Sequence, residues 1–348
     1  MVSISSIFPC SFFDYVLGSF YSKIGFHLFS VLMKKFLIKI FFFCLISVII
    51  YPIFIGSLGS YWLTQRRLTK NLIFNQGGNS FLWSKLQDAD TTKNVDLLIL
   101  GSSLANKGID PRNFEKNGFR TFNLGSNAQT PQQTEYLLKK YLNKFNPKIV
   151  LWEVTPETFE YKGVESFIDI CSNTEIDFDL FQLGVGYYSM IPLNTLLISG
   201  WRQYLGDFHE YKERIVKDGN TYIPGGYVET ENHEYISEST IEEKNIEFVN
   251  FQISSFENSI KLLRLKGVKV ILISAPTTND YFSSIKNWKE INNYFQSFKN
   301  NEILDNYINF NVIYPKFGER KSWFTDNMHL NKKGVYEYNK LLIKEIDF

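Results

Sequence analysis

Cysteine is nearly absent from this chain. Three in 348 residues (Cys10, Cys44 and Cys171) exclude a disulfide scaffold and a cysteine-held metal cluster. Cys44 falls in a lipid-like stretch and Cys10 in the N-terminal segment, so no structural disulfide is expected. Histidine is equally scarce: His27, His209, His233 and His329 show no HxH or HExxH spacing, so no histidine-based metal site is expected. Net charge is almost nil. Lys+Arg 37 against Asp+Glu 36 leaves +1, which gives no chain-wide electrostatic reason for a nucleic-acid partner. Phosphate-binding signatures are missing too, with no GxxxxGK[ST] and a single glycine where a dinucleotide loop wants three. Neither an internal repeat nor a low-complexity linker is present.

Apolar residues, in contrast, are plentiful. At 44% hydrophobic and 21% charged the chain has material for a real core and is not a disordered one. Phe 32 and Tyr 20 are high, beside much Asn, Ile and Lys, a bias that reads as AT-rich codon usage before aromatic function. The length allows one large domain or two modest ones.

Residues 40–63 carry no charge, a run of 24 that suffices to span a bilayer with some tilt. Pro52, Gly56 and Gly59 in its second half are better tolerated in lipid than in water. Lys34, Lys35 and Lys39 precede the run and Arg66, Arg67 and Lys70 follow it, so basic residues set no orientation. Ser57-Leu58-Gly59 resembles a small-x-small cleavage site, which makes a removable signal peptide the rival to an anchor. The run exceeds a usual signal core, and an anchor within residues 33–70 is the expectation. Residues 1–32 are apolar and aromatic without clear periodicity, and Met33-Lys34-Lys35-Phe36 would make a natural start. They read as an upstream over-extension of the reading frame or an interfacial segment.

After Lys70 the chain reads as a soluble domain over residues 71–348. Strands are predicted at 95–100 (VDLLIL), 119–124, 149–154 and 268–274 (VKVILIS), with a fifth at 310–313. Helices are predicted at 131–145, with Pro131 in its first turn, at about 240–266, and at 332–346. Strands alternating with helices imply a parallel sheet covered on both faces, whose ligands bind beyond the carboxyl ends of the strands.

Polar residues gather at those ends. The first strand runs into Gly101-Ser102-Ser103-Leu104-Ala105, a place for a nucleophile on a tight turn or simply a serine N-cap. The second ends in Asn123-Leu124-Gly125-Ser126-Asn127, where glycine lets backbone N–H groups approach a ligand. Near the C-terminus stands Thr325-Asp326-Asn327-Met328-His329-Leu330-Asn331, just before the last helix. A serine nucleophile needs a base, and the base needs a carboxylate to hold its tautomer; His329 and Asp326 on one loop can supply both.

On these blocks the sequence resembles the SGNH (GDSL-type) hydrolase superfamily, over roughly residues 93–346. That family's first block is a strand followed by G-D-S-L, matched by Gly101-Ser102-Ser103-Leu104; its second ends in N-L-G, matched by Asn123-Leu124-Gly125. Its last, D-x-x-H-x-n, is matched by residues 326–331. The resemblance implies a three-layer fold, a short flavodoxin-like parallel sheet flanked by helices, here with one N-terminal transmembrane helix. It implies Ser103 as nucleophile, His329 as base and Asp326 as its orienting acid, with the backbone N–H groups of Ser103 and Gly125 in the oxyanion hole. No cofactor or metal follows from it.

Two positions depart from the family. Ser102 replaces the aspartate before the nucleophile, and the third strand ends in Trp152-Glu153-Val154-Thr155-Pro156 in place of G-x-N-D, whose asparagine is an oxyanion donor. Asn127 is the nearest substitute donor by sequence. The Glu-x-x-Pro variant is similar to the membrane-anchored, cell-surface branch. That branch implies an extracytoplasmic esterase or acyltransferase acting on acyl groups of an envelope polysaccharide, with a membrane O-acyltransferase as a partner to expect. The alternative is a catalytically silent relative that binds or helps assemble surface polysaccharide. An α/β-hydrolase is a further rival, because Gly101-Ser102-Ser103-Leu104-Ala105 is one residue from G-x-S-x-G. The close D-x-x-H pair argues against that rival.

Residues 155–241 form an insertion too long for a simple connection, rich in acids (Glu157, Asp169, Asp177) and aromatics (Tyr161, Phe178, Tyr188, Trp201, Tyr227). It reads either as a partly helical cap with its own small core or as a substrate-binding cap whose rings stack on sugars.

Overall fold

The computed structural model describes residues 10–59, 70–78, 80–231, 235–236 and 241–346. Residues 1–9 of the N-terminal extension, residues 60–63 of the uncharged run, Arg66, Arg67 and His233 lie outside the described residues.

A long helix, α1 (Cys10–Phe54), is followed by a π-helical stretch (Ile55–Gly59). Among the described residues one helical span, Ser30–Ser57, is long and apolar enough to cross a membrane, and it is almost wholly exposed. The domain then runs α2 (Leu82–Thr91), β1 (Leu97–Leu100), α3 (Ser103–Gly108), α4 (Pro111–Glu115), β2 (Thr121–Asn123), α5 (Pro131–Phe145) and β3 (Ile149–Glu153). The inserted segment holds α6 (Glu157–Glu160), α7 (Val164–Asn173), α8 (Phe178–Gly186), α9 (Met190–Leu205) and α10 (Asp207–Glu210). A small antiparallel sheet of β4 (Val216–Lys217), β5 (Asn220–Ile223) and β6 (Tyr227–Thr230) completes it. The chain closes with α11 (Asn250–Leu265), β7 (Lys269–Ser274), α12 (Asn279–Ser284), α13 (Trp288–Asn300), β8 (Asn306–Asn309), α14 (Phe310–Ile313) and α15 (Lys332–Glu345).

The main sheet has the order β2-β1-β3-β7-β8, with every pair parallel. Alternation along the strands divides the core. Leu98, Leu100, Val150, Trp152, Val270 and Leu272 face α2, α5, α11 and α13; Leu97, Ile99, Leu151, Ile271 and Ile273 face α3, α4 and α15. Burial on both faces explains why the strands read as continuous apolar runs.

Two predicted elements move. The fifth strand lies at Asn306–Asn309, not 310–313, which is the helical turn α14. Asn309 Oδ1 accepts from Asn311 N at 3.1 Å and turns the chain out of the sheet, while polar Asn306 and Asn309 hide the strand's pattern. The helix expected from about 240 begins at Asn250. Before it, Lys244 bridges to Ile285 and Ile246 is buried in the core, a use that an extended segment serves and a helix would not. The inserted segment is more than a loose cap. Phe159, Phe167, Ile170 and Cys171 join the main core, and Phe208 packs edge-on against Trp83 at 5.0 Å.

Candidate active site

All the polar strand ends meet at one edge of the sheet. Ser102 caps α3, its Oγ accepting from Leu104 N at 3.2 Å, so Ser103 becomes the first helical residue. Its N–H therefore has no intrahelical acceptor. Gly101 makes the turn possible, with φ +138 and an added Cβ only 2.7 Å from Glu153.

Glu153, where the family's third block departs, holds this turn from below. Its Oε2 accepts from Ser102 N at 3.0 Å and Ser102 Oγ at 2.8 Å, and its Oε1 from Thr155 Oγ1 at 2.5 Å. Burial pushes the Glu153 carboxyl upward, and the Thr155 and Ser102 hydrogen bonds oppose the shift. The serine at position 102 is thus buried and committed, while its neighbour is free to project.

Ser103 Oγ lies 2.8 Å from His329 Nε2, and His329 Nδ1 lies 2.8 Å from Asp326 Oδ2. With Nδ1–H donating to the carboxylate, Nε2 is left to accept the serine proton. The loop that achieves this is tightly built. Asp326 Oδ1 accepts from Met328 N and His329 N, each at 2.8 Å, and Thr325 N donates to the His329 carbonyl at 2.8 Å. Asn331 then caps α15, its Oδ1 accepting from Gly334 N at 3.0 Å. Partial burial would raise the Asp326 carboxyl, but the His329 hydrogen bond, its charge and the two N–H groups hold it below the usual carboxylate range.

The residues expected to bind an oxyanion stand differently. Gly125 N donates to Asn123 Oδ1 at 3.0 Å, so an oxyanion would have to share that proton. The glycine itself is required, since a Cβ there would sit 2.9 Å from Ala105 Cβ and 3.0 Å from the Gly101 carbonyl. Asn127 Oδ1 accepts from Asn106 Nδ2 at 3.3 Å, which leaves its own Nδ2 as a donor.

Beneath these groups lies a residue that the motifs did not single out. Lys85, on α2, is fully buried, and its Nζ donates to Asn106 Oδ1 at 2.7 Å and to the Gly125 carbonyl. No carboxylate pairs with it among the described residues, and burial alone pushes its ammonium well below the usual lysine range. Phe81, directly before α2, is buried at φ +52, a costly conformation for an aromatic residue. The Lys217 ammonium lies 4.3 Å from that ring. A lone lysine among the apolar positions Leu82, Leu86 and Ala89 was the signal available in the sequence.

A small cleft is lined by Ser103, Lys107, Pro276 and His329, and a neighbouring larger one, of about 50 Å³, by Val154, Tyr281, Phe282, Ile285 and Trp288 among others. Leu104, Ala275 and Met328 border both. None of the rings named in the inserted segment lines either cleft; Phe178 and Tyr188 are exposed and Tyr227 is in the core.

No protein-family model and no curated protein matches the chain. Among solved structures it is similar to a GDSL-like lipase from Bacteroides thetaiotaomicron, at 12% identity over 77% of this chain and 96% of that one, with a TM-score of 0.39. It is similar also to a provisionally named acylhydrolase from Bacteroides fragilis, at 14% identity over 75% of this chain and 92% of that one, TM-score 0.37. A third is a gut microbial diltiazem-metabolizing enzyme, at 11% identity over 73% of this chain and 47% of that one, TM-score 0.38.

Proposed function

We propose that this protein is an SGNH-type serine hydrolase or acyltransferase, anchored by α1, that acts on O-acyl groups of a cell-envelope glycan. The single observation that carries the reading is the hydrogen-bonded series Ser103–His329–Asp326 at a strand end, with both links at 2.8 Å. In this reading Ser103 Oγ attacks the ester carbonyl as His329 Nε2 takes its proton, and Asp326 stabilises the imidazolium. The tetrahedral oxyanion takes hydrogen bonds from Ser103 N–H and from Asn127 Nδ2, with Asn127 standing in for the third-block asparagine. Collapse expels the alcohol, protonated by His329. Water, or a sugar hydroxyl, then attacks the acyl-enzyme.

The larger cleft suits the acyl group, because its wall beside Leu104 and Met328 is mostly apolar. An envelope glycan as substrate, an extracytoplasmic site and a membrane O-acyltransferase partner are what the cell-surface branch of the family would require. Incubation with an acetylated polysaccharide, with acetate release as the readout, tests the substrate class.

The nucleophile is tested by mass-mapping a fluorophosphonate adduct on the detergent-solubilised chain. Ser103 should be labelled and Ser102 spared, since Ser102 is 4% exposed and bonded to Glu153 and Leu104. Labelling of Ser102, or of neither serine in a folded sample, overturns the assignment.

A further inference from the structure

Lys107 stands beside the serine as an unmatched charge. It lies four residues after Ser103 on α3, so the two share a helix face, and its stem leans back toward the turn that carries the serine. Together with Ser103 and His329 it lines the small cleft. Among the described residues its ammonium forms no ion pair and no hydrogen bond. Lys85, the other lysine near the serine, at least donates to Asn106 and to the Gly125 carbonyl. Asp326 is the carboxylate whose charge acts on Lys107, but both of its oxygens are taken, by Met328 N, His329 N and His329 Nδ1. Burial pushes the Lys107 ammonium down from the usual lysine range, and the Asp326 charge opposes that shift. A charge withdrawn from water is ordinarily paired, and this one has its partner still to come.

The two clefts differ in charge. No carboxylate lines the small one, where Lys107 is set among apolar walls such as Pro276 and Leu330. The larger one carries Glu153 and Glu157, both buried. An anion is repelled from the larger cleft and drawn to the small one. The proposed reaction assigns the small cleft to the alcohol, because His329 Nε2 returns its proton to the departing oxygen, and His329 lines the small cleft and not the larger. Its room, about 10 Å³, is about that of one water molecule. That admits an oxygen of a substituent and keeps a sugar ring outside.

We infer that Lys107 binds an anionic group, a carboxylate or a phosphate, on the alcohol side of the ester, so that the substrate is an acylated acidic glycan. The inference rests on the reading of Ser103 and His329 as nucleophile and base, and it adds the chemical class of the group beside the scissile bond. A neutral glycan would cover the ammonium and leave it unmatched; an acidic one supplies the missing partner.

The test is a matched pair of esters given to the detergent-solubilised full chain. 4-Nitrophenyl acetate has no charge on its leaving group, and 5-acetoxy-2-nitrobenzoate is the same ester with a carboxylate added to the ring. Relative to each ester's reaction with hydroxide, wild type should favour the carboxylate ester at least about tenfold in kcat/KM at low salt, and added salt should shrink the preference. Lys107→Met should bring the ratio to within about twofold of unity, and Lys107→Arg, which keeps the charge, should retain most of it. Equal turnover of the two esters by wild type overturns the inference and leaves the hydrolase standing. Turnover of neither overturns the hydrolase reading and the inference with it. A preference that survives in Lys107→Met, or one lost as fully in Lys107→Arg, also overturns the inference, since the anion is then held elsewhere or the lysine serves packing. Acetate release from acetylated polygalacturonate and from an acetylated phosphodiester-linked glycan then tells carboxylate from phosphate. Release from an acetylated neutral mannan should be at least about tenfold slower than from the better of these, and equal release counts against the inference.

Discussion

Ser103→Ala is expected to lower turnover of a short p-nitrophenyl ester by about 10,000-fold or more. In the proposed mechanism the variant loses the attacking oxygen itself, and not one of several groups sharing a load. His329 and Asp326 keep their mutual bond at 2.8 Å, and the loop keeps its hydrogen bonds from Met328 N and His329 N, so the fold has little reason to respond. One partly exposed hydrogen bond disappears, worth about 1 kcal/mol net, and the melting temperature should move by only a few degrees. Kinetics and thermal unfolding on the same preparation check both halves. More than a tenth of wild-type activity in this variant would remove Ser103 from the reaction. Equal inertness of wild type and variant on every ester tried would favour the glycan-binding alternative.

Lys85→Met should cost roughly 100-fold in kcat with KM little changed, although Lys85 touches no substrate. Its ammonium ties together Asn106, one turn beyond Ser103, and the carbonyl of Gly125 on the neighbouring strand end. Asn106 in turn holds the Asn127 oxygen. In the proposed mechanism Asn127 then loses the restraint on its side chain, and one oxyanion donor is worth about 100- to 1000-fold in rate. Methionine removes the desolvation cost of a buried ammonium, yet it strands two buried acceptors at about 1–3 kcal/mol each, so some loss of stability accompanies the loss of rate. Asn127→Ala separates the two effects. It should lower kcat by a similar factor while leaving the melting temperature nearly unchanged. The Lys85→Met/Asn127→Ala double variant should then be no slower than Asn127→Ala alone, because both changes remove the same donor. Additive losses would show that Lys85 acts elsewhere.

How much was legible beforehand differs by element, for physical reasons. The strands around 97–100, 149–153 and 269–274 announce themselves because a parallel strand buried on both faces must be apolar throughout. Helix α5 was readable to the residue, since Pro131 and Asn146 mark its two ends. Strand β8 was misplaced, as an edge strand with polar Asn306 and Asn309 lacks that signature.

Ser103, Asp326 and His329 each stand in a short local pattern, which is why the sequence offers them as candidates, and the 3-residue spacing of the acid and the histidine leaves the loop to orient them. Their meeting across 226 residues of chain was decided by the fold alone. So were the contacts of Glu153 and Lys85. Glu153 looked like a missing asparagine, and only the tertiary structure turns it into the clamp on Ser102. Lys85 carries no motif; its role comes from being buried between two strand ends, a property of three-dimensional packing that one-dimensional spacing does not encode. The exposure of Tyr188 is likewise invisible in composition, since an aromatic residue in sequence reads equally as core or as surface until its neighbours are placed.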